Sequence, residues 1–197
     1  MLNSLPEPET REILQAVKRQ ITRLSQIVED LLLLTRLERQ EALQRLPCCL
    51  NDLISDLVEE LAVLALKAKV TLSAKVLVQN PLSVLGDGDQ LYRMFSNLIA
   101  NAIQYTAAGG KVTVILDYSD PHALAQVQDT GIGIAPEHQS RIFDRFYRVN
   151  QDRSRHSGGS GLGLPIARAI AQAHHGSLEV QSQLGKGSTF TVRLPLD

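Results

Sequence analysis

A chain of 197 residues can hold one domain of ordinary size plus an appendage. Trp is absent and aromatic residues make up 4%, so aliphatic side chains must fill the core. The net charge of -1 gives no general attraction to nucleic acid, and no apolar run approaches the ~20 residues that span a bilayer. We therefore expect a soluble chain that does not bind nucleic acid.

The first predicted element is a long amphipathic helix over about residues 9–41, which Pro47 closes. Its apolar residues recur in steps of three and four and form one stripe: Ile13, Val17, Ile21, Leu24, Val28, Leu31 and Leu34. A stripe this long predicts a partner helix. The alternative is a helix that lies on the chain's own domain.

The two cysteines of the chain, Cys48 and Cys49, are adjacent near the end of this region. Metal sites need other spacings or more ligands. A vicinal redox pair is one alternative. The other, which we favour, is two reduced thiols at a domain junction.

Alternating helix and strand patterns follow, which predict an α/β unit. Asn51 is expected to cap a helix over 51–69, and Asp87, with Gln90 three residues later, to cap the next helix. Pro165 is expected at the first position of a helix that ends before Gly176. Strands are predicted over 70–78, 111–118, 123–128, 178–182 and 189–194, short helices over 136–146, and a mobile segment over 148–163.

Asn97 and Asn101 lie one helical turn apart and face the same way. Amide oxygens at that spacing can hold a hard cation that keeps several waters, which suits Mg²⁺. Two asparagines on a helix can equally be plain surface residues. Tyr105, one turn further, can present its ring face to a base.

Asp129 ends an apolar strand and precedes Gly131 and Gly133. A carboxylate there can accept a hydrogen bond from an exocyclic amino group, and the glycines allow a planar ring to approach the backbone. A dinucleotide fingerprint would need a third glycine at the position of Pro136, so we reject it. No P-loop motif is present in the sequence.

A glycine-rich loop precedes the Pro165 helix, with Gly159, Gly161 and Gly163 at alternate positions. Consecutive backbone N–H groups at a helix N-terminus form an anion cradle, so phosphate binding is a better reading than a flexible linker. Phe143 and Phe146 are expected to anchor the segment upstream, which carries a cluster of basic residues: Arg141, Arg145, Arg148, Arg153 and Arg155.

Five blocks in fixed order carry a family resemblance. They are Asn97-Leu-Ile-Ala-Asn101-Ala-Ile-Gln-Tyr-Thr106, Asp129-Thr-Gly-Ile-Gly133, Arg141-Ile-Phe-Asp-Arg-Phe-Tyr-Arg148, Gly159-Ser-Gly-Leu-Gly163 and Gly185-Lys-Gly-Ser-Thr-Phe190. Together they resemble the N, G1, F, G2 and G3 boxes of the sensor histidine kinase ATP-binding domain. The resemblance implies the Bergerat fold, an α/β two-layer sandwich in which helices cover one face of a mixed sheet.

The resemblance also implies a site for ATP or ADP and Mg²⁺. Asn101, with Asn97, would bind Mg²⁺, and these two residues and Arg148, on the triphosphate, would be the catalytic residues. Tyr105 would flank adenine and Asp129 would read its amino group. The remaining nucleotide contacts would come from the base pocket and the lid: Gly131, Gly133, Ile134, Gly159, Ser160, Gly161, Leu162, Gly163, Leu164, Gly187 and Thr189.

By the same resemblance, residues 1–46 would be part of a dimerisation and phosphotransfer domain, namely its second helix, and residues 47–197 the catalytic and ATP-binding domain. Expected partners are a phosphotransfer domain that carries the acceptor histidine, a response-regulator receiver domain, and a second copy in a full-length homodimer. We expect a cytoplasmic location, with the full-length protein membrane-anchored as an open alternative.

This sequence departs from the family pattern at two places. The family often has Lys where Gln104 stands, so one charge-assisted phosphate contact is lost. The acceptor block, a histidine followed by an acidic residue and a proline, is missing, since the histidines are His122, His138, His156, His174 and His175. We expect the chain to begin after the first helix of the phosphotransfer domain.

The expected reaction is transfer of the ATP γ-phosphoryl group to a histidine outside this chain. One rival is an ATP hydrolase of the same fold, which carries a Glu at the position of Asn97 to activate water. An amide cannot take that proton, so Asn97 favours phosphotransfer. The other rival is a non-catalytic nucleotide-binding partner domain, which Gln104 and the missing histidine favour slightly.

Overall fold

The computed structural model describes residues 7–39, 45–149 and 160–197. Its centre is a five-stranded mixed sheet with helices packed on it, and a long helix precedes the sheet. The α/β two-layer fold class is therefore confirmed. A second, two-stranded sheet lies beside the first.

The helices are α1 (Glu7–Glu38), α2 (Leu50–Ala68), α3 (Gly88–Tyr105), the single turn α4 (Pro136–Gln139) and α5 (Gly163–Ala173), with a 3₁₀ turn at Arg141–Phe143. The strands are β1 (Leu46–Cys49), β2 (Thr71–Val76), β3 (Ser83–Gly86), β4 (Lys111–Ser119), β5 (His122–Asp129), β6 (Ser177–Gln183) and β7 (Gly187–Pro195). The large sheet has the order β2-β4-β5-β7-β6, in which only β2 and β4 run parallel, and β1 pairs with β3 in the small sheet.

The core lies between the large sheet and helices α2, α3 and α5. Every second residue of β4 is buried, and α3 buries one face of its cylinder against the sheet. This is the pattern expected of a sheet that is covered on one side. The fully buried large side chains are Phe95, Phe190, Leu50, Ile54, Leu57, Leu91, Met94, Leu98, Ile99, Ile103, Leu116 and Leu162.

The cap predicted for α3 is confirmed, because the carboxylate of Asp87 accepts a hydrogen bond from the backbone N–H of Gln90 at 3.1 Å. The cap predicted for α2 is wrong. Helix α2 begins at Leu50 after Cys49, and Oδ1 of Asn51 instead accepts a bond from the N–H of Leu82 at 2.9 Å. The side chain serves a neighbouring loop rather than its own helix.

Two short strands and one helix start also differ from the prediction. Sequence patterns give no strand at Leu46–Cys49 or Ser83–Gly86, because strands of four residues are too short to show an alternation. Helix α5 begins at Gly163, so Pro165 is its third residue rather than its first.

The two ends of helix α1 have different surroundings. Leu34 and Leu37 near its C-terminal end are buried, and the helix contacts α5. Five residues of the predicted stripe are about half exposed or more: Ile13, Val17, Ile21, Leu24 and Val28. Within the described ranges no helix is both long enough and apolar enough to cross a bilayer.

Candidate functional site

A cleft of ≈ 1440 Å³ opens between α1, α3, the loop after β5 and the start of α5. Eleven of the residues predicted for the nucleotide site lie on its walls: Asn97, Asn101, Tyr105, Asp129, Gly133, Ile134, Arg148, Ser160, Gly161, Gly163 and Leu164. Residues that are up to 67 positions apart in sequence are thus brought to one place. A cleft of this size is large enough for a nucleotide.

The polar wall of α3 carries Asn97, Asn101 and Gln104, with Tyr105 beside them. The Nδ2 atom of Asn97 is buried and has no hydrogen-bond partner among the described residues. A buried donor without a hydrogen-bond partner lowers the stability of a fold by about 1–3 kcal/mol. A bound ligand that places a hydrogen-bond acceptor beside this amide nitrogen would remove that cost. Gly163 lies directly opposite, because a Cβ atom there would stand 3.6 Å from Oδ1 of Asn97.

Asp129 sits at the end of β5, where the sheet meets the cleft. Its Oδ1 accepts hydrogen bonds from the N–H groups of Gly131 at 2.8 Å and Ser188 at 3.2 Å. Burial raises the pKa of this carboxyl above its usual range, although the two backbone bonds oppose the shift. One oxygen is fixed by the backbone, which orients the other for an incoming donor.

Glycine is required at two places behind Asp129. Gly133 has a φ of +68°, and a side chain there would overlap the carbonyl oxygen of Gln183. Gly187 has a φ of +103°, and a side chain there would overlap the carbonyl oxygen of Asp129 itself. These contacts explain the two glycines by close packing of backbone on backbone, whereas the predicted approach of a planar ring stays a prediction.

The loop that follows β5 is held by three further hydrogen bonds. The N–H of Ile132 donates to the carbonyl of Tyr105 at 3.2 Å, which ties the loop to the end of α3. The N–H of Ile134 donates to the hydroxyl of Ser182 at 2.7 Å, which ties it to β6. The carbonyl of Ile134 accepts a bond from Nε2 of Gln139 at 3.0 Å. The pocket is therefore built largely before any ligand arrives.

The described end of the glycine-rich loop returns to the segment upstream of it. The carbonyl of Gly161 accepts a bond from the N–H of Phe146 at 3.1 Å, and Gly161 has a φ of +74°. Ser160 accepts a bond from the N–H of Leu162, whose side chain is fully buried in the core. The described end of this loop is thereby anchored at the N-terminus of α5.

Five predicted contacts are not found on the described wall of the cleft, among them Gly187, which packs against the carbonyl oxygen of Asp129. Gly159 lies outside the described residues, as do Arg153, Arg155 and His156. Leu162 is a core residue, and Gly131 contributes its N–H to Asp129 rather than a cleft surface. Thr189 does not line the main cleft either, since its neighbours in β7, Ser188 and Phe190, point there instead. Alternation along a strand decides which residue faces the site.

The predicted arginine cluster is dispersed in the structure. The guanidinium of Arg141 lies 4.3 Å from the ring centre of Tyr147, and Arg145 pairs with Glu38 of α1. Only Arg148 of the described three lines the cleft. The expected anchor Phe143 is partly buried against the core, but Phe146 is 55% exposed, so that prediction is wrong.

Sequence reasoning missed one whole wall of the cleft, which α1 supplies. Six polar residues of this helix face the space: Gln15, Lys18, Gln20, Thr22, Arg23 and Gln26. The sequence shows that polar residues stand between the apolar ones of α1. Which part of the protein these polar residues face depends on how α1 packs against α3 and α5. Asp30 of α1 forms an ion pair with Arg93 of α3, and both line the cleft.

The donor set indicates which metal the site can take. The described part of the chain holds no group of three or more His, Cys, Asp or Glu side chains that could bind a metal ion. The oxygens available beside Asn97 are neutral amides, which suit a hydrated Mg²⁺ shared with phosphates better than a zinc-type site.

Known proteins share both the sequence and the fold of this chain. The profile of the family described as histidine kinase-, DNA gyrase B-, and HSP90-like ATPase matches residues 86–197, more than half of the chain. The sensor histidine kinase RppB from Synechocystis sp. is 54% identical over 197 residues, which are 99% of this chain and 43% of that protein. The sensor-like histidine kinase SenX3 from Mycobacterium tuberculosis is 36% identical, over 99% of this chain and 48% of that protein.

The fold agrees with these matches. The crystal structure of full-length ShkA in complex with AMPPNP has a TM-score of 0.83 to this chain at 26% identity, and the match covers 95% of this chain and 39% of that chain. The chain spans less than half the length of RppB or SenX3. It belongs to the histidine kinase-, DNA gyrase B-, and HSP90-like ATPase family, and within that family to the sensor histidine kinases.

Proposed function

We propose that the cleft binds Mg-ATP and presents its γ-phosphoryl group to a histidine on a phosphotransfer domain. The observation that carries this proposal is the convergence of Asn97, Asn101 and Asp129 on one cleft. A hydrogen-bonded carboxylate at one end and a pair of amides at the other match the two ends of a nucleotide. Full-length ShkA in complex with the ATP analogue AMPPNP shares this fold.

Asp129 would recognise adenine. Its fixed orientation directs one carboxylate oxygen toward the cleft, where it can accept a hydrogen bond from the adenine amino group. Tyr105, Gly133 and Ile134 border the same region and would enclose the ring. A base without an amino group at this position would leave the carboxylate buried but without a hydrogen-bond donor. The lost hydration of the carboxylate would then not be compensated, so such a base would bind more weakly than adenine.

Asn97 and Asn101 would hold Mg²⁺ and the phosphates. Bound there, the ion would neutralise charge on the phosphate oxygens. Arg148 lies on the same cleft, and the N-terminus of α5 begins at Gly163, facing Asn97. Backbone N–H groups at that helix end would add hydrogen bonds to the phosphates.

The reaction needs positioning more than a strong base. A neutral imidazole nitrogen of the acceptor would attack the γ-phosphorus while the bond from that phosphorus to the β-bridging oxygen breaks. ADP leaves with the bonding electrons, and the imidazole loses its N–H proton to solvent. The cleft residues would orient the donor and stabilise the charge that develops on it.

Asn97 favours this reaction over ATP hydrolysis. The side chain lies on the cleft wall, and an amide does not accept a proton at neutral pH, so Asn97 would not serve as the general base that hydrolysis needs. The chain itself supplies no histidine before His122, so the acceptor would be on another segment or chain. The relay would then continue to an aspartate of a response regulator in a two-component system, and the parent kinase would be a homodimer.

Labelled ATP tests the proposal. The chain, Mg²⁺ and γ-labelled ATP are mixed with a separate phosphotransfer domain from the parent protein. Acid-labile label on that domain's histidine supports the proposal. Steady phosphate release without the partner would instead support a hydrolase. Nucleotide binding without transfer, where the intact parent is active, would leave a non-catalytic binding domain.

A further inference from the structure

The nucleotide cleft has a second wall, and it is helix α1. The residues of α1 that face the cleft are polar except for Ile27, whereas the predicted apolar stripe does not line the cleft. Lys18 and Arg23 are the basic members of this wall within the described side chains. Both therefore line the same open cleft as Asn97 and Asn101.

Several contacts hold α1 in this position. Asp30, which is 7% exposed, pairs with Arg93 and also accepts a bond from Nε2 of Gln26 at 3.1 Å. Leu34 and Leu37 are buried one and two turns further along. The wall is thus held by a partly buried ion pair and an apolar contact.

The ion pair places α1 beside the face of α3 that carries the two asparagines. Arg93, Asn97 and Asn101 follow each other at steps of four, so they lie on one face of α3. Asp30 meets the first of them. The residues N-terminal to Asp30 on α1, including Arg23 and Lys18, continue along the cleft beside that face.

The charge of the cleft also differs from that of the chain. Its described walls carry four basic residues and two carboxylates, whereas the chain as a whole has a net charge of -1. Asp30 is paired with Arg93 and Asp129 lies at the base end. Neither Lys18 nor Arg23 has an ion pair within the described part of the molecule. An excess of positive charge in a cleft favours an anion.

We propose that Lys18 and Arg23 of α1 bind the terminal phosphates of the nucleotide and replace the positive charge that is absent at Gln104. The proposal rests on the proposed function, because it names two further ligands of the same nucleotide. It makes the helix outside the ATP-binding domain a direct part of the phosphate site. Affinity for a triphosphate then depends on α1 staying docked.

The test compares a double variant with a matched control. Lys18→Gln with Arg23→Gln removes two charges from the cleft wall. Arg36→Gln with Lys67→Gln removes two charges from exposed positions of α1 and α2 that do not line the cleft. Calorimetric titrations with Mg²⁺ measure the affinity of each protein for AMP and for a non-hydrolysable ATP analogue.

The cleft variant should bind the ATP analogue about tenfold more weakly, while its affinity for AMP stays within about twofold. The control variant should match the wild type for both ligands. Retained AMP binding also shows that the variant is folded. Equal affinities of the cleft variant and the wild type for the ATP analogue would overturn the proposal, as would a parallel loss for AMP. A wild type that binds neither nucleotide would overturn the proposed function itself.

A second variant tests the dependence on docking. Asp30→Asn removes the charge that holds Arg93 and leaves Lys18 and Arg23 in place. It should also weaken binding of the ATP analogue relative to AMP. A triphosphate affinity that is unchanged while the ion pair is lost would contradict the idea that the docked helix forms the phosphate wall.

Discussion

The imidazole Nε2 of His174 accepts a hydrogen bond from the backbone N–H of Asp87 at 3.0 Å. Asp87 caps α3, and His174 follows the last residue of α5, so one side chain joins the helix that carries the asparagines to the helix that follows the glycine-rich loop. The Nδ1 of His174 donates to the carbonyl of Ile170 at 2.8 Å, which fixes the neutral tautomer.

This contact predicts acid sensitivity of the fold. Burial is the main cause that lowers the pKa of His174 below its usual value near 6.5, and nearby Arg45 and His175 act in the same direction against Asp87. A histidine with a lowered folded-state pKa contributes stability that is complete above pH 6.5 and is lost as pH falls through the lower value. The free energy of unfolding in urea should therefore fall between pH 7.5 and pH 5.

Substitution of His174 tests whether this residue causes the loss of stability in acid. His174→Gln keeps a possible acceptor but does not titrate, so its unfolding free energy should vary less over that pH range. His122→Gln, at the start of β5, is the matched control and should follow the wild type. A His174→Gln profile that falls as steeply as the wild type would show that other groups cause the acid loss.

A second prediction concerns Gly133. Gly133→Ala places a Cβ atom at a positive φ and against the carbonyl of Gln183, so it should destabilise the fold by about 2 kcal/mol or more. Gly88→Ala is the control, because a Cβ atom there meets nothing within 4 Å and Gly88 lies in the first turn of α3. Its effect on denaturant midpoints should be under about 0.5 kcal/mol. Similar midpoints for the two variants would contradict this reading of the loop.

A third prediction compares two ion pairs. Asp30 and Arg93 have side chains 10% and 30% exposed, whereas Glu179 and Arg193 are 57% and 40% exposed. Asp30→Asn should therefore destabilise the fold by about 1–2 kcal/mol, discounted for the partial exposure of Arg93, and Glu179→Gln by less than about 0.5 kcal/mol. Urea unfolding measures both. Equal losses would mean that the α1 contact is as weak as a surface pair.

The fold was predictable where local patterns were long. Alternation identified β4 and β5, and Asp87 marked the start of α3. The patterns failed where tertiary contacts decide the outcome. The strands Leu46–Cys49 and Ser83–Gly86 exist because they pair with each other, and Asn51 bonds a loop thirty-one residues away instead of its own helix.

In the candidate site, too, local patterns predicted some residues correctly and tertiary contacts decided the others. The types and spacing of Asn97, Asn101 and Asp129 predicted residues that the fold brings to one cleft. Thr189 was expected on its wall, but strand register places Ser188 and Phe190 there. The wall formed by α1 could not be read from the sequence, because it depends on the buried pairing of Asp30 with Arg93.

Adenine-nucleotide binding by Asp129→Asn tests the central claim most directly. The amide keeps an oxygen for the N–H groups of Gly131 and Ser188, and burial raises the pKa of the native carboxyl, so removing its charge should leave the fold at least as stable at pH 7.5. In calorimetric titrations the wild type should bind Mg-ATP, and the variant should bind it at least about tenfold more weakly at unchanged thermal stability. Equal ATP affinity of the two proteins would contradict the assignment of this cleft as the nucleotide site.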